Sequence, residues 1–209
     1  AVLQRRTMGS HAFQQVLGYK NLEELTERID KFSYRVLKKD CLDLPEKSYT
    51  ARYVTLTAEQ AKMYGDIQRQ ALLLLDDGEL VTAPAVITQL LRLQQIMSGH
   101  LRTDDGTMIT FPTRRMDALL ELMNEHDGKA IIWSRFRHDI KEITATLNKN
   151  LGPGCAAAYF GDTGDDERQD IVTNFQNPNH PLKFFVGNPA TAGYGLTLTE
   201  ANLVVYYAN

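Results

Sequence analysis

The sequence is poor in cysteine. Its two, Cys41 and Cys155, stand far apart with no C-x-x-C pairing. That excludes a disulfide framework and a structural zinc site, and the pair reads as reduced thiols of a cytosolic protein. Long apolar runs are missing as well. The longest, Cys155–Phe160 and Leu203–Ala208, fall far short of the ~20 residues a membrane-spanning helix needs. The opening AVLQRRTMGSH carries basic residues with no apolar stretch behind them, so no secretory signal is expected. Positive charge is not in excess: 23 Lys+Arg against 26 Asp+Glu leave a net charge of −3. A global basic field is therefore excluded, while a local basic edge is not. The five histidines lack H-x-x-x-H spacing, which argues against a metal site. Repeats and low-complexity tracts are absent. These absences together predict a soluble, cytoplasmic chain.

What is present is ordinary globular usage: 43% hydrophobic and 23% charged over 209 residues, one domain or one domain with an appendage. A chain of this length buries a core without staples. Two textures divide it. Residues 1–112 read as a helical lead-in and insertion. Asn21 is expected to cap a helix on Leu22, Leu25, Ile29 and Phe32, and a short strand is expected near 50–56. Thr57-Ala-Glu-Gln60 is a capping box for a long helix ended by Asp77-Gly78. Pro84 opens another helix, Ala83–Ser98, stopped by Gly99. Asp104-Asp105-Gly106 has hairpin-turn chemistry.

Residues 113–209 alternate helix and strand. Thr113 caps a helix ended by Gly128. Strands are expected at Lys129–Ser134, Cys155–Phe160, Leu182–Gly187 and Asn202–Tyr207, with helices at Phe136–Asn150 and Asp165–Phe175 between them. Short apolar strands separated by amphipathic helices predict an α/β fold, a parallel sheet with helices on both faces.

In such a sheet, ligands bind beyond the carboxyl ends of the strands. Here those ends are Ser134-Arg135, Gly161-Asp162, Gly187-Asn188-Pro189-Ala190 and Tyr207–Asn209. Hydroxyl, guanidinium, amide and Gly-exposed backbone N–H groups suit phosphate oxygens; ordinary loop composition explains the same residues. Gly193 and Gly195 bracket Tyr194 at a strand-to-helix turn. The G-x-G alone is not a dinucleotide fingerprint, because the third glycine is missing. Thr191-Ala-Gly-Tyr-Gly195 echoes a potassium filter, but the flanking membrane helices a filter needs are missing. Lys31–Lys39 reads either as a DNA-backbone or lobe-contacting patch or as cations at a helix end. The acidic run Asp162–Asp170 reads as a cap and first helical turn rather than a cation loop, with Arg168 holding the loop. Ser134, His138 and Asp139 lack a nucleophile elbow and build no hydrolase triad. Trp133 reads as core.

These motifs, taken in order, carry a resemblance. Gly193–Thr199 is similar to the Gly-x-Gly-Leu-x-Leu-Thr core of the fifth motif of Swi/Snf-type DNA-dependent ATPases, in helicase superfamily two. Ala130-Ile-Ile-Trp-Ser-Arg135 resembles their fourth motif. Tyr159-Phe-Gly-Asp-Thr-x3-Glu-Arg168, with Ile171 and Phe175, resembles the signature that follows it. Upstream, Tyr34–Lys47 resembles the family's basic segment and Leu-Pro-x-Lys brace; Leu56–Gln60 and Leu90–His100 resemble its intervening helices. The match runs over residues 21–209 in order. Pro189-Ala-Thr191 points to a bacterial or phage-like branch.

The resemblance implies a RecA-like C-terminal helicase lobe, with ATP between two lobes and DNA across both. Gly193 and Gly195 would approach ATP. Ser134, Arg135, Gly161, Asn188, Pro189 and Ala190 would face the DNA backbone, without reading sequence. The sequence holds no G-x-x-x-x-G-K-[ST] loop and no Mg2+-holding acidic box. Those groups, and the sixth motif with its arginine finger, are expected elsewhere in a complete protein that uses ATP and Mg2+. A first RecA-like lobe is the expected partner, the chain is read as ending before the sixth motif, and hydrolysis by this chain alone is not expected. Two other classes remain open: a catalytically inert DNA-binding or structural lobe, and an unrelated nucleotide-binding α/β enzyme.

Overall fold

The computed structural model describes residues 2–8, 11–37, 46–76, 83–103 and 105–208. The expected helix stop Asp77-Gly78, the turn residue Asp104, Lys38 and Lys39 of the basic segment, Leu44-Pro45 of the brace and Asn209 lie outside them. The chain divides into two compact units, residues 1–51 and 52–209.

The first unit holds an antiparallel pair, β1 (Val2–Met8) and β2 (His11–Gly18), joined so that Met8 stands opposite His11. Helix α1 (Leu22–Asp30) follows. It begins where the apolar spacing puts it, but Asn21 does not cap it. Asn21 sits in the left-handed region at φ 58 with no capping bond, and its Nδ2 donates instead to Glu24 Oε2 at 3.3 Å. No residue of α1 is buried. Lys31 and Arg35 follow it, exposed, beside Phe32 and Tyr34.

The second unit opens with a correction. Residues 50–56 are expected to form a strand, yet among the described residues they pair with none. A strand needs a ladder partner for its backbone, and these residues are fastened by side chains instead. Arg52 Nη2 reaches Glu125 Oε2 at 3.4 Å, and Arg114 Nη1 donates to Thr55 Oγ1 at 2.5 Å. The capping box is reciprocal: Gln60 N donates to Thr57 Oγ1 at 3.2 Å, and Thr57 N to Gln60 Oε1 at 3.1 Å. It opens α2 (Ala58–Asp76), which packs on α3 (Ala83–Ser98). Gln60 Nε2, buried, donates on to Ile96 O at 2.9 Å. Gly99 stops α3 at φ +93, where a Cβ would meet Thr113 Cγ2 at 2.2 Å, so no other residue fits this turn. The hairpin β3 (His100–Arg102) and β4 (Met108–Thr110) follows.

The remainder is the expected α/β layer structure. Thr113 Oγ1 accepts from Met116 N at 3.3 Å and caps α4 (Arg114–Glu125). The helix ends before Gly128, which stands against the Asn202 side chain. Then come β5 (Lys129–Ser134), α5 (Arg137–Leu151), β6 (Ala156–Tyr159), α6 (Asp165–Gln176), β7 (Phe184–Gly187), the single turn α7 (Pro189–Ala192) and β8 (Ala201–Ala208). The four strands are parallel in the order β6-β7-β5-β8.

Strand alternation sends successive side chains to opposite faces. Ala130, Ile132, Phe184 and Val186 meet Leu119 and Met123 of α4 and Ile140, Ile143 and Leu147 of α5. Ile131, Tyr159 and Phe185 meet Ile171 and Phe175 of α6. Phe185 is fully buried, its ring 5.1 Å from Tyr159, 5.7 Å from Phe175 and 6.0 Å from Trp133.

Lys129 opens β5 as the expected strand boundary, but its side chain does something the pattern hides. Buried to 7% exposure, its Nζ donates to Phe175 O at 2.7 Å and Asn177 O at 2.6 Å, and reaches Asn174 O at 3.4 Å. Those are carbonyls at the carboxyl end of α6, which the helix dipole makes negative; Asn174 O and Asn177 O also accept from Asn177 N and His180 N at 3.3 and 3.1 Å. Burial pushes the ammonium pKa below the ordinary lysine value, while Glu200 pulls it the other way. Among the described residues no helix is long and apolar enough to cross a membrane.

Candidate nucleotide and nucleic-acid interface

The carboxyl ends of the four strands bring the expected residues to one edge. Asn188 is its hinge. Its Oδ1 accepts from Ala190 N at 2.8 Å and so caps α7, while its Nδ2 donates to Arg135 O at 2.8 Å, tying the end of β7 to the end of β5. Arg135 N donates to Ala208 O at 3.0 Å, which adds β8 to the same tie. The Arg135 guanidinium is exposed and touches Gln94 Oε1 at 3.2 Å. Pro189 is half-buried, and Ala190 and Gly161 are exposed beside it. Arg137 Nη1, exposed, donates to Asp162 Oδ1 at 2.9 Å, and Arg137 Nη2 stands 3.2 Å from where a Gly161 Cβ would be.

Arg168 holds the loop after β6, as its sequence context implied. Its Nη2 donates to Phe160 O at 3.2 Å and Gly161 O at 3.4 Å, and its guanidinium lies 5.6 Å from the Tyr159 ring. Thr163 Oγ1 accepts from Phe160 N at 3.1 Å and donates to Ala158 O at 3.3 Å. The acidic residues Asp165, Asp166 and Glu167 occupy the first turn of α6.

Beyond α7 the chain turns through Gly193, Tyr194 and Gly195. Gly193 N donates to Pro189 O at 2.8 Å, and a Cβ on Gly193 would meet that same oxygen at 2.4 Å. Gly195 has φ +78 with open space where a Cβ would stand. Tyr194, between them, is 93% exposed. This loop offers backbone and one aromatic ring, with no charged side chain between Gly193 and Thr199.

Ser134 stands at the end of β5 but faces inward. It is fully buried, and its Oγ donates to Asp139 Oδ2 at 2.8 Å. Asp139 is 1% exposed in the first turn of α5, where the helix dipole favours a carboxylate. Its other oxygen lies 3.0 Å from Nδ1 of buried His100, out of line for a hydrogen bond. His100 also stacks edge-on against Phe136 and lies 4.7 Å from the His138 ring. His138 pairs with Glu142 at 3.3 Å rather than with Ser134, so no hydrolytic triad forms. Sequence reasoning missed His100 entirely, because 39 residues and a tertiary packing step separate it from Asp139.

Tyr207 closes the back of this cluster. Arg115 Nη1 donates to Tyr207 O at 3.1 Å and to Ser98 Oγ at 3.4 Å, with its guanidinium carbon 5.4 Å from the Tyr207 ring. Burial, then the Asp139 charge, push the phenol pKa far above 10. A phenol that stays protonated in the fold while the unfolded chain ionises makes stability fall as pH rises above the unfolded value near 10. The expected slope is about 1.4 kcal/mol per pH unit. Denaturant titrations of the wild-type chain and Tyr207→Phe between pH 9 and pH 11 measure it; an identical slope in both would refute the assignment.

A cleft of about 360 Å3 opens at the opposite, amino end of the sheet, lined by residues that include Asp127, Pro153, Cys155 and Lys183. The expected DNA- and ATP-facing residues lie at the other end. Burial raises the Cys155 thiol pKa, which leaves it a poor nucleophile. Among the described residues no three His, Cys, Asp or Glu side chains converge on a metal position.

Comparison with known proteins agrees with this fold. Residues 114–209 match the family model for the helicase conserved C-terminal domain. The C-terminal domain of the Sulfolobus solfataricus SWI2/SNF2 ATPase superimposes with a TM-score of 0.61 at 27% identity, covering 76% of this chain and 70% of that one. The core of that ATPase in complex with dsDNA gives 0.60 at 31% identity, over 88% of this chain and 40% of that one. YwqA of Bacillus subtilis, a candidate ATP-dependent helicase/translocase, is 26% identical over 90% of this chain and 21% of its own length. The ISWI chromatin-remodeling complex ATPase CHR17 of Arabidopsis thaliana is 22% identical over 92% of this chain and 19% of its own. The chain thus spans about a fifth of the curated relatives it matches. With its parallel four-stranded sheet and helices on both faces, residues 114–209 belong to the helicase conserved C-terminal domain family as a RecA-like lobe, similar to that of the SWI2/SNF2 ATPase.

Proposed function

We propose that this chain is the second motor lobe of an ATP-dependent double-stranded DNA translocase. In this reading it supplies contacts to the DNA backbone and one wall of the ATP cleft. The observation that carries it is the tie at the carboxyl edge. Asn188 joins β7 to the Arg135 carbonyl while the Arg135 guanidinium and the neighbouring Arg137 stay exposed. Two exposed cations beside the exposed backbone of Gly161 and Ala190 suit the spaced negative charge of a phosphate backbone. Asn188 and Pro189 shape that surface, and Ser134 supports it from behind through Asp139. The dsDNA-bound state of the Sulfolobus relative supports the choice of duplex.

The same reading assigns ATP to Gly193 and Gly195. The loop fits a nucleotide: Gly195 is in the left-handed region with nothing within 4 Å of its Cβ position, so a ligand can approach the backbone. ATP with its Mg2+ would supply the phosphoanhydride chemistry, and the groups for Mg2+ and the β- and γ-phosphates would come from a first lobe. This chain's residues bind and orient; they do not hydrolyse. The cytoplasm of a bacterial or phage-infected cell is the setting that this assignment implies.

Duplex binding by this chain at a series of salt concentrations tests the DNA assignment. Affinity should fall steeply with salt, and Arg135→Ala and Arg137→Ala should each weaken binding by roughly 3–10-fold and reduce the log–log salt slope by about 1. Binding that ignores salt, or no binding at all, would leave a structural lobe. Tight ATP or NAD binding by the chain alone would favour a self-sufficient nucleotide enzyme instead.

A further inference from the structure

The interface is braced from behind by a residue that belongs to no strand of the sheet. We propose that His100 and Asp139 are positioning residues. Through them the helical insertion sets the loop after β5, and hence the loop after β7, in the arrangement that meets DNA. The inference deepens the DNA reading above and rests on it for its functional half.

The contacts run without a gap. His100, on β3, is 1% exposed and lies 3.0 Å from Asp139. Asp139 accepts from Ser134 Oγ at 2.8 Å. Ser134 is followed by Arg135, whose carbonyl accepts from Asn188 Nδ2 and whose N–H donates to Ala208 O. Asn188 then caps α7, the turn that leads into the Gly193–Gly195 loop. On the insertion side, the buried Gln60 of α2 donates to Ile96 O near the end of α3, four residues before His100.

A buried ionisable pair is weak support for stability, because desolvation offsets the attraction; its better-attested role is to select one arrangement over others. The geometry here suits that role. Among the described residues, Nδ1 of His100 and Oδ1 of Asp139 have no hydrogen-bond partner, so each is left facing the other. An apolar pair would fill the space as well, but it would leave Ser134 Oγ unpartnered and the end of β5 without a fixed direction.

Hydrogen exchange on this 209-residue chain tests the brace directly. In His100→Ala, the amides of Arg135, Asn188 and Ala192, which donate to Ala208 O, Tyr159 O and Asn188 O, should exchange about tenfold faster. Amides in the middle of α5 should be unaffected. His100→Asn, which returns a donor near the position of Nδ1, should bring the three amides back to within about threefold of wild type. If His100→Ala does not fold, Asp139→Asn carries the same comparison. Unchanged loop amides would overturn the proposal, and so would acceleration spread evenly over the lobe, which marks a merely stabilising pair. Duplex affinity supplies the functional arm: the braced arrangement predicts roughly 3–10-fold weaker binding in His100→Ala with the salt slope kept, since no phosphate contact is lost. A wild-type chain that binds no duplex would end the DNA reading and the functional half of this one, while the exchange pattern would still decide the brace.

Discussion

Phe185→Ala is expected to lower the unfolding free energy by about 3–5 kcal/mol, the largest effect of any single truncation considered. The reason is position. Phe185 lies in β7, the strand between β6 and β5, and is fully exposed to protein and not at all to water. Three aromatic rings surround it, two of them edge-on, the arrangement the ring quadrupole favours. Trp133, Tyr159 and Phe175 come from two neighbouring strands and a helix, so no single element can move to fill the space. A truncation here therefore adds most of a cavity term to the lost transfer free energy. Against the 5–15 kcal/mol typical of whole domains, that loss is severe. Denaturant unfolding of the two chains measures it; a loss under about 1 kcal/mol would mean that the cluster repacks freely.

Lys129→Met is expected to cost about 2–4 kcal/mol, although the variant is more apolar at a buried site. The methionine fills similar volume, so packing alone predicts little change or a gain. What it removes is the cation that serves the last turn of α6: Phe175 O and Asn177 O would each lose a close donor. Asn177 O keeps the His180 N–H at 3.1 Å, so the desolvation cost falls on the buried Phe175 O, and the helix dipole adds to it. The penalty should appear first as local opening, with the amides at the carboxyl end of α6 exchanging faster than those of α5. A neutral or stabilised Lys129→Met would show that packing, not the ammonium, holds this helix end.

Much of this fold could be read from residue order, and the reason is local. β5 was bounded at Lys129–Ser134 because an apolar run sits between Gly128 and a polar helix start, both visible in sequence. The capping box at Thr57–Gln60 and the Thr113 cap are legible because capping reaches only three residues along the chain. The interface was legible as a list of strand ends, since parallel topology fixes which ends face a ligand. Residues 50–56 failed for a complementary reason. Their composition suits a strand, but a strand is a property of two segments, and among the described residues no second one pairs with them. Asn21 failed because the left-handed conformation points its amide at Glu24. The pairing of β1 with β2 went unread, although Gly9-Ser10 between them is a dipeptide compatible with a tight hairpin. The cap from Lys129 and the approach of His100 to Asp139 are tertiary, and no spacing rule reaches across 39 or more residues to find them; the inward turn of Ser134 onto Asp139, five residues on, depends on how α5 packs against the sheet.

The strand order has a consequence for how the lobe is made. β5 emerges from the ribosome before every other strand of the sheet, yet it bonds only to β7 and β8. β6, made next, never touches it and also waits for β7. About fifty residues separate the end of β5 from the start of β7, which at 5–20 residues per second is roughly 3–10 s of synthesis. Through that interval Lys129–Ser134, with its Ala-Ile-Ile-Trp centre, has no ladder partner of its own. α4, α5 and α6, whose apolar faces cover its two sides, are all made before β7. The lobe is thus built around a strand that must be sheltered by helices first and paired last, a long-range closure that places its folding rate under the control of β7.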